Sequence, residues 1–228
     1  MSKEVQKIFT DLSGNYDTIN KLCSSGTMVL WRKEAAREAM LDKRKYSALD
    51  IGTGTGELAF EIYKEGKRNG KNIGITGIDF SRHMVDIANR KAKTNGIKAK
   101  FELGDALHLK YKNCSFDLVT SGFVVKNVDN QARLASESYR ILKKGGRLVF
   151  IELIRPQGNL NRLMINAYWT TIIRLGFMGS AQIYRALKKS VDKFNKNKFA
   201  ERLKKAGFRN VRVKVLFSGA AAMFLAEK

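Results

Sequence analysis

Ala48-Leu-Asp-Ile-Gly-Thr-Gly-Thr-Gly-Glu57 is the stretch on which the fold turns. An apolar run ends in glycines at alternate positions, Gly52, Gly54 and Gly56, with Thr53 and Thr55 between them. Leu58, Ala59, Ile62 and Tyr63 then follow at helical spacing. Missing Cβ atoms let backbone approach a ligand closely at a strand-to-helix corner. The pattern reads as a nucleotide or nucleoside corner, entered through Asp50. A dinucleotide fingerprint would put its third glycine or alanine one residue later, where Glu57 stands. Glycine spacing alone does not separate such a corner from an unrelated Gly-rich turn.

The flanking segments do separate them. Ile73-Gly-Ile-Thr-Gly-Ile-Asp79 is apolar and β-branched, as a buried parallel strand should be. Its terminal acid lies about 20 residues past the last glycine, the spacing of a ribose-binding carboxylate. Asp79 is thus placed to accept hydrogen bonds from both ribose hydroxyls. Phe80 beside it can stack near a base or join the core. Ser81 is a good helix N-cap before Met84, Ile87 and Ala88. A third acid, Asp105, follows the strand-like Ala99–Leu103 in Gly104-Asp105-Ala106. Each acid alone reads as a loop or capping residue; three at successive strand ends, in order, read as a site.

Composition bounds the class. The chain has 228 residues, 44% apolar and 28% charged, enough for one large domain with a sizeable core. Cys23 and Cys114 are the two cysteines and show no metal spacing, which argues for a reducing compartment and no disulfide scaffold. His83 and His108 have no ligand cluster nearby and read as structural or surface residues. The N-terminus has charge without a following apolar segment, so no signal peptide is expected. Met164–Gly179, the most apolar late stretch, is too short to span a bilayer and carries Arg174. A cytoplasmic protein is expected. The 43 basic against 21 acidic residues give +22, which favours polyanionic surfaces such as anionic lipid or nucleic acid. The lysines are scattered and not interleaved with aromatics, so a stacking platform for single strands is not indicated. A solvated basic surface accounts for the charge equally well.

Along the chain, strand candidates lie near 46–51, 73–79, 99–104, 116–121, 147–154, 210–217 and 220–226. The clearest helices lie at 56–68, 81–94, 129–143 and 196–206. Such alternation predicts a doubly wound α/β fold, a Rossmann-like, mostly parallel seven-stranded sheet. Ser218-Gly219 is too short for a crossover, so the last strand must be antiparallel. Residues 1–43 read as an N-terminal helical cap, 44–154 as the cofactor-binding core, and 196–228 as a C-terminal helix and hairpin. Residues 155–195 break the alternation at Pro156 and read as an inserted helical lid.

The G-x-G-x-G corner resembles the first motif of S-adenosylmethionine-dependent methyltransferases. The chain further resembles the ubiquinone/menaquinone biosynthesis C-methyltransferase family over nearly its full length. Ile8-Phe9, Tyr16-Asp17-Thr-Ile-Asn20, Ser25-Gly26 and Trp31-Arg32 are similar to that family's opening signature. Ser115-Phe-Asp-Leu-Val-Thr-Ser-Gly-Phe-Val-Val-Lys-Asn-Val128 resembles its second, followed by Glu137-Ser-Tyr-Arg-Ile-Leu-Lys-Lys-Gly-Gly146 as the helix-turn before the fifth strand. Tyr184–Val191 and Ser218-Gly-Ala-Ala221 match its C-terminal pattern. Two positions depart: Lys126-Asn127 stands for the usual Arg-Asn, and Lys-Lys-Gly-Gly for Lys-Pro-Gly-Gly. Lysine keeps the charge but loses the planar fork, which bears on quinone identity more than on reaction type.

The resemblance implies a C-methyltransferase for a prenylated quinol, demethylmenaquinol-type first. Its implied cofactor is S-adenosyl-L-methionine, released as S-adenosyl-L-homocysteine, with no metal. The implied cofactor set is Asp50, Gly52, Thr53, Gly54, Thr55, Gly56, Asp79, Phe80, Asp105, Ala106, Ser121 and Gly122, with Asp105 reading the adenine amino group. The implied catalytic set is Lys126, favouring phenolate character by charge, Asn127, orienting the oxygen, and Tyr16 on the other face. From the residues alone, Lys126 is equally a surface lysine, Asn127 a cap or turn residue, and Tyr16 a packing residue. The Arg155–Asn195 segment interleaves apolar and basic side chains, which suits a flexible prenyl tail and a peripheral place at an anionic membrane surface, or a helix packed over the sheet. Oligomeric state stays open, a homodimer included. The rival readings are a methyltransferase for another small hydrophobic molecule and, further off, an RNA methyltransferase. RNA base methyltransferases often carry Asn/Asp-Pro-Pro-aromatic after the fourth strand; here that position reads Thr120-Ser-Gly-Phe123, which disfavours nucleic acid as partner.

Overall fold

The computed structural model describes residues 27–156, 188–216 and 219–228. Its centre is a seven-stranded sheet. In chain order the elements are α1 (Thr27–Glu38), β1 (Lys45–Ile51), α2 (Glu57–Arg68), β2 (Asn72–Asp79), α3 (Arg82–Thr94), β3 (Ala99–Leu103) and β4 (Phe116–Gly122). A 3-10 turn at Val125–Asn127 follows, then α4 (Gln131–Ile141), β5 (Leu142–Leu153), α5 (Lys196–Lys205), β6 (Arg209–Val215) and β7 (Ala221–Glu227). The strand order is β3-β2-β1-β4-β5-β7-β6. The first five strands are parallel; β7 runs antiparallel to both β5 and β6. The predicted doubly wound sheet and closing hairpin are therefore present.

The order reverses between β1 and β4, and a crevice opens there beyond the strand C-termini. Alternating residues feed two cores, one per face. On β7, Ala221, Met223 and Leu225 join the α1–α2–α3 side, while Ala222, Phe224 and Ala226 join the α4–α5 side. The second core is built on rings: Phe199 of α5 lies 5.0 Å edge-on to Phe224 and 6.3 Å from Phe150 in a stacked arrangement. Local signals set the helix starts. Ser81 caps α3 by accepting the Met84 amide, Asn130 caps α4 from Arg133, and Asn195 caps α5 from Asn197 and Lys198.

One expected boundary is corrected. The Lys143–Gly146 turn does not precede the fifth strand; β5 begins at Leu142, directly after α4. Phe116 pairs with Leu142 and Leu118 with Arg147, so the intervening residues bulge out of the ladder. The C-terminus holds the bulge: the Gly145 amide donates to the Lys228 carbonyl at 2.8 Å, and the Lys228 amide to Gly146 at 3.0 Å. Asn127 does not cap a helix, a role taken by Asn130. Of the expected cap, residues 27–43 are described and contain α1. Tyr16, Ser218 and most of the 155–195 lid segment lie outside the described residues. Among the described residues, no helix is long and apolar enough to cross a membrane.

Candidate active site

The three glycines after β1 do three different jobs. Gly52, at φ +64°, lines a cavity with the Val124 side chain pressed against it. Gly54 also lines the cavity, and a Cβ there would meet nothing within 4 Å, so its backbone is the open floor. Gly56 faces away from the cavity, where a Cβ would stand 2.7 Å from the Phe60 ring and 3.2 Å from Phe101. It serves the packing of α2 onto the sheet.

Asp79, at the end of β2, ties this turn down. Its carboxylate accepts the Gly54 amide and the Ser81 amide, both at 2.9 Å. Burial pushes its carboxyl above the ordinary range, against the pull of the Ser81, Gly54 and Phe80 amides. Each oxygen keeps a lone pair for a ligand hydroxyl. Asp50 lies beneath the turn and does not line the cavity. It accepts the Thr120 hydroxyl at 2.7 Å, and burial pushes its pKa up to about 6, with Asp79 adding repulsion and Arg32 opposing it. Thr53 and Thr55 are buried. The Thr53 hydroxyl lies close enough to Asp50 to favour its anion, yet it is not aligned for a hydrogen bond and has no partner among the described residues. Ser121 is buried too, its hydroxyl donating to the Ile51 carbonyl at 2.7 Å.

Asp105 lines the cavity with Gly104, Ala106 and Leu107. One of its oxygens accepts the Leu107 amide, and the other lies 2.9 Å from His108 Nδ1. Partial burial raises the Asp105 pKa, and the His108 and Leu107 contacts outweigh it, so the carboxyl sits below its ordinary range. His108, which the sequence marks only as a surface or structural residue, is an exposed residue that contacts a cavity-lining carboxylate. Phe80 is 41% exposed at the cavity rim, and Met84 of α3, which no motif singled out, also faces the cavity.

The opposite wall comes from the loop after β4: Gly122, Phe123, Val124, Asn127 and Val128. Phe123 holds φ +64°, a strained setting for a side chain with a Cβ. Its ring lies 6.3 Å from Trp31 and 5.9 Å from the Arg32 guanidinium, so α1 backs this wall. Asn127 lines the cavity as expected of a residue that meets a ligand. Lys126 does not. Its side chain is 3% exposed, and its ammonium donates to Glu152 at 2.8 Å and to the Phe123 carbonyl at 2.7 Å. It is neither a surface lysine nor, in this structure, a free charge aimed at an acceptor. Glu152, which the sequence reading missed, was findable as a lone carboxylate inside the apolar run Leu148–Ile154.

The cavity measures about 410 Å³. Among the described residues that line it, Asp79, Asp105 and Asn127 carry the polar side chains, and none is lysine or arginine. A diphosphate would meet two carboxylates without a cation. A nucleoside with a positive centre suits the same surroundings: carboxylates for hydroxyls and exocyclic amines, Phe80, Met84 and Leu107 for a flat base, and bare backbone at Gly54. S-Adenosylmethionine is such a group. No cluster of three or more His, Cys, Asp or Glu is placed to hold a metal among the described residues.

Comparison with known proteins agrees with this geometry. The model of the ubiE/COQ5 methyltransferase family matches residues 1–228. A demethylmenaquinone methyltransferase of Deinococcus radiodurans is 34% identical over 98% of this chain and 92% of its own. One of Thermus thermophilus is 32% identical over 97% and 100%. A ubiquinone/menaquinone biosynthesis C-methyltransferase of Geotalea daltonii is 29% identical over 99% and 97%. Among solved structures, a putative S-adenosylmethionine-dependent methyltransferase of Methanococcus maripaludis superposes with TM-score 0.71 at 21% identity, covering 100% of this chain and 97% of that one.

Proposed function

This chain belongs to the ubiE/COQ5 methyltransferase family, and we propose that it methylates a ring carbon of a prenylated naphthoquinol of the demethylmenaquinol type. The enzyme is an S-adenosylmethionine-dependent methyltransferase. The observation that carries the acceptor reading is a single cavity joining two surfaces. One is the cradle of Gly52, Gly54, Asp79 and Asp105; the other is an apolar wall of Phe123, Val124 and Val128 with Asn127 as its polar side chain. Relatives at 31–34% identity over nearly the whole chain carry the demethylmenaquinone methyltransferase name, which supports a naphthoquinol over a benzoquinol.

When bound, the cofactor supplies an electrophilic methyl group on a sulfonium centre. Gly54 and Asp79 would hold its ribose side, Asp105 the base amine, and Phe80 with Met84 the flat face of the base. Asn127 would hydrogen-bond the quinol oxygen beside the reacting carbon and steady its phenolate character. Phe123, Val124 and Val128 would exclude water and keep the ring within reach. Tyr16 remains proposed as a contact on the other ring face. A peripheral place at an anionic bilayer belongs to the same proposal, supported by the +22 charge and the insolubility of a prenyl tail. Sedimentation with phosphatidylglycerol vesicles, lost at high salt and absent with phosphatidylcholine, is the expected result.

Methyl transfer from labelled S-adenosylmethionine tests the acceptor directly. Label is expected in a demethylmenaquinol acceptor and far less in a benzoquinol. Label confined to another lipid or to RNA would overturn the reading. Asn127→Ala should lower turnover about 100-fold with cofactor affinity intact.

A further inference from the structure

We infer that Glu152 is a positioning residue for the acceptor side of the site, acting through Lys126 on the loop that carries Asn127. Glu152 lies near the end of β5 at 0% side-chain exposure, and Lys126 sits in the 3-10 turn at 3%. The carboxylate accepts the Lys126 ammonium at 2.8 Å, the Lys126 backbone amide at 2.9 Å and the Leu153 amide at 2.7 Å. Lys126 is therefore held twice by one side chain, at both its head and its backbone. The same ammonium donates to the carbonyl of Phe123, whose backbone is at φ +64°. One ion pair thus closes both ends of the segment 123–126 against the neighbouring strand.

Other contacts also hold that segment: Val125 is buried in the α4–α5 core, its carbonyl accepts the Gln131 side-chain amide at 3.1 Å, and the Phe123 ring packs near Trp31. Beyond the pair, the Phe123 amide reaches the Ile151 carbonyl at 2.7 Å, and the turn makes its own local bonds, Asn127 to Val124 at 2.9 Å and Val128 to Val125 at 3.3 Å. A buried charge pair contributes little net stability relative to apolar packing, because both ions lose their hydration. What it supplies is direction: an ammonium 2.7 and 2.8 Å from two fixed oxygens specifies one backbone path. The path sets where Val124 presses on Gly52 and where Asn127 meets the cavity. Gly54, Asp79 and Asp105 of the cradle are held by other bonds, and the segment meets the cradle where Val124 packs on Gly52.

The inference rests on the acceptor reading above, and its test separates the two. Three full-length variants are compared with the parent: Glu152→Gln, Lys126→Arg, and the charge-free pair Lys126→Gln with Glu152→Gln. The double variant removes both charges; a glutamine at position 126 is too short to span both oxygens, and the amide nitrogen introduced at position 152 cannot accept from a backbone N–H. It is expected to melt within about 5 °C of the parent. Its affinity for S-adenosylhomocysteine should stay within about threefold, since Gly54, Asp79 and Asp105 keep their own partners. Its kcat with a short-chain demethylmenaquinol should fall about 10–100-fold, the scale of a displaced polar group. Amide exchange at Asn127 and Val128 should quicken about tenfold while β4 and α4 are unchanged. Glu152→Gln should show the same kinetic loss, and Lys126→Arg should keep most turnover, since a guanidinium reaches both oxygens. Parental kcat and parental exchange at Asn127 and Val128 in the double variant would overturn the inference. So would loss of cofactor binding and of the fold together, which would make the pair a support of the whole sheet. If the parent itself methylates no quinol, the acceptor reading fails, and the exchange rates still decide the positioning role.

Discussion

The Asp79 carboxylate accepts the Gly54 amide at 2.9 Å, joining the end of β2 to the glycine turn after β1 across 25 residues of sequence. The residue that the motif marks for the ribose is also the one that shapes the cradle. Asp79→Asn should therefore do two things at once. Its amide NH2 would face either the Gly54 or the Ser81 amide donor, so one charge-assisted bond is lost and two donors are set against each other. Cofactor affinity should fall about 10–100-fold, in line with about 1.5–3 kcal/mol for a hydrogen bond to a charged group. Calorimetric titration with S-adenosylhomocysteine checks it.

Asp50 offers the opposite balance. Its pKa is pushed up to about 6 from an ordinary 3.8, first by burial. A folded value above the unfolded one means that the cost is absent below about pH 4 and grows as pH rises through 6. Above pH 7 that cost approaches about 3 kcal/mol. Asp50→Asn still accepts the Thr120 hydroxyl, so the variant should melt about 3–8 °C higher at pH 8, with the gain shrinking as pH falls from 6 to 4. Removing a buried anion below the cradle should weaken S-adenosylmethionine more than the product, which lacks the sulfonium charge. Melting curves across pH and paired titrations measure both.

The glycines can be told apart by mutation. Gly56→Ala places a methyl 2.7 Å from the Phe60 ring at φ +88°, and should destabilise the fold by about 2–4 kcal/mol. Gly54→Ala meets open space at φ +55°, and should cost about 1 kcal/mol of stability while filling the cavity floor. Cofactor binding should then suffer more than melting in Gly54→Ala, and melting more than binding in Gly56→Ala.

Arg140 tests the rim. Its guanidinium donates to the Leu109 and Tyr111 carbonyls at 2.8 and 2.7 Å and to Glu137, whose carboxylate accepts the Leu109 amide. These bonds anchor the loop that follows Asp105, Ala106 and Leu107. Arg140→Met leaves both carbonyls short of a donor and should cost about 2 kcal/mol. Cofactor affinity should drop severalfold through the loosened rim, while Arg140→Lys recovers part of both. Chemical denaturation and titration give the two numbers.

What the sequence determined by itself is local or periodic. Strand and helix order, the cap at Ser81, the helical run after Gly56, and the acids at three strand ends are short-range patterns that water and backbone geometry impose on any such chain. The resemblance of Lys126-Asn127 to a family signature also lies in the sequence. What tertiary structure decided is which neighbours those residues meet. Gly56 is a packing glycine because Phe101 arrives from β3, and Asp50 is raised because the fold buries it, against the pull of the Thr120 hydroxyl that β4 brings to it. Lys126 turns from the cavity because β4 and β5 lie side by side, which puts Glu152, 26 residues away, within reach of its ammonium. A charge in an apolar environment goes to the nearest opposite charge, and nearness in space is what a linear pattern does not contain.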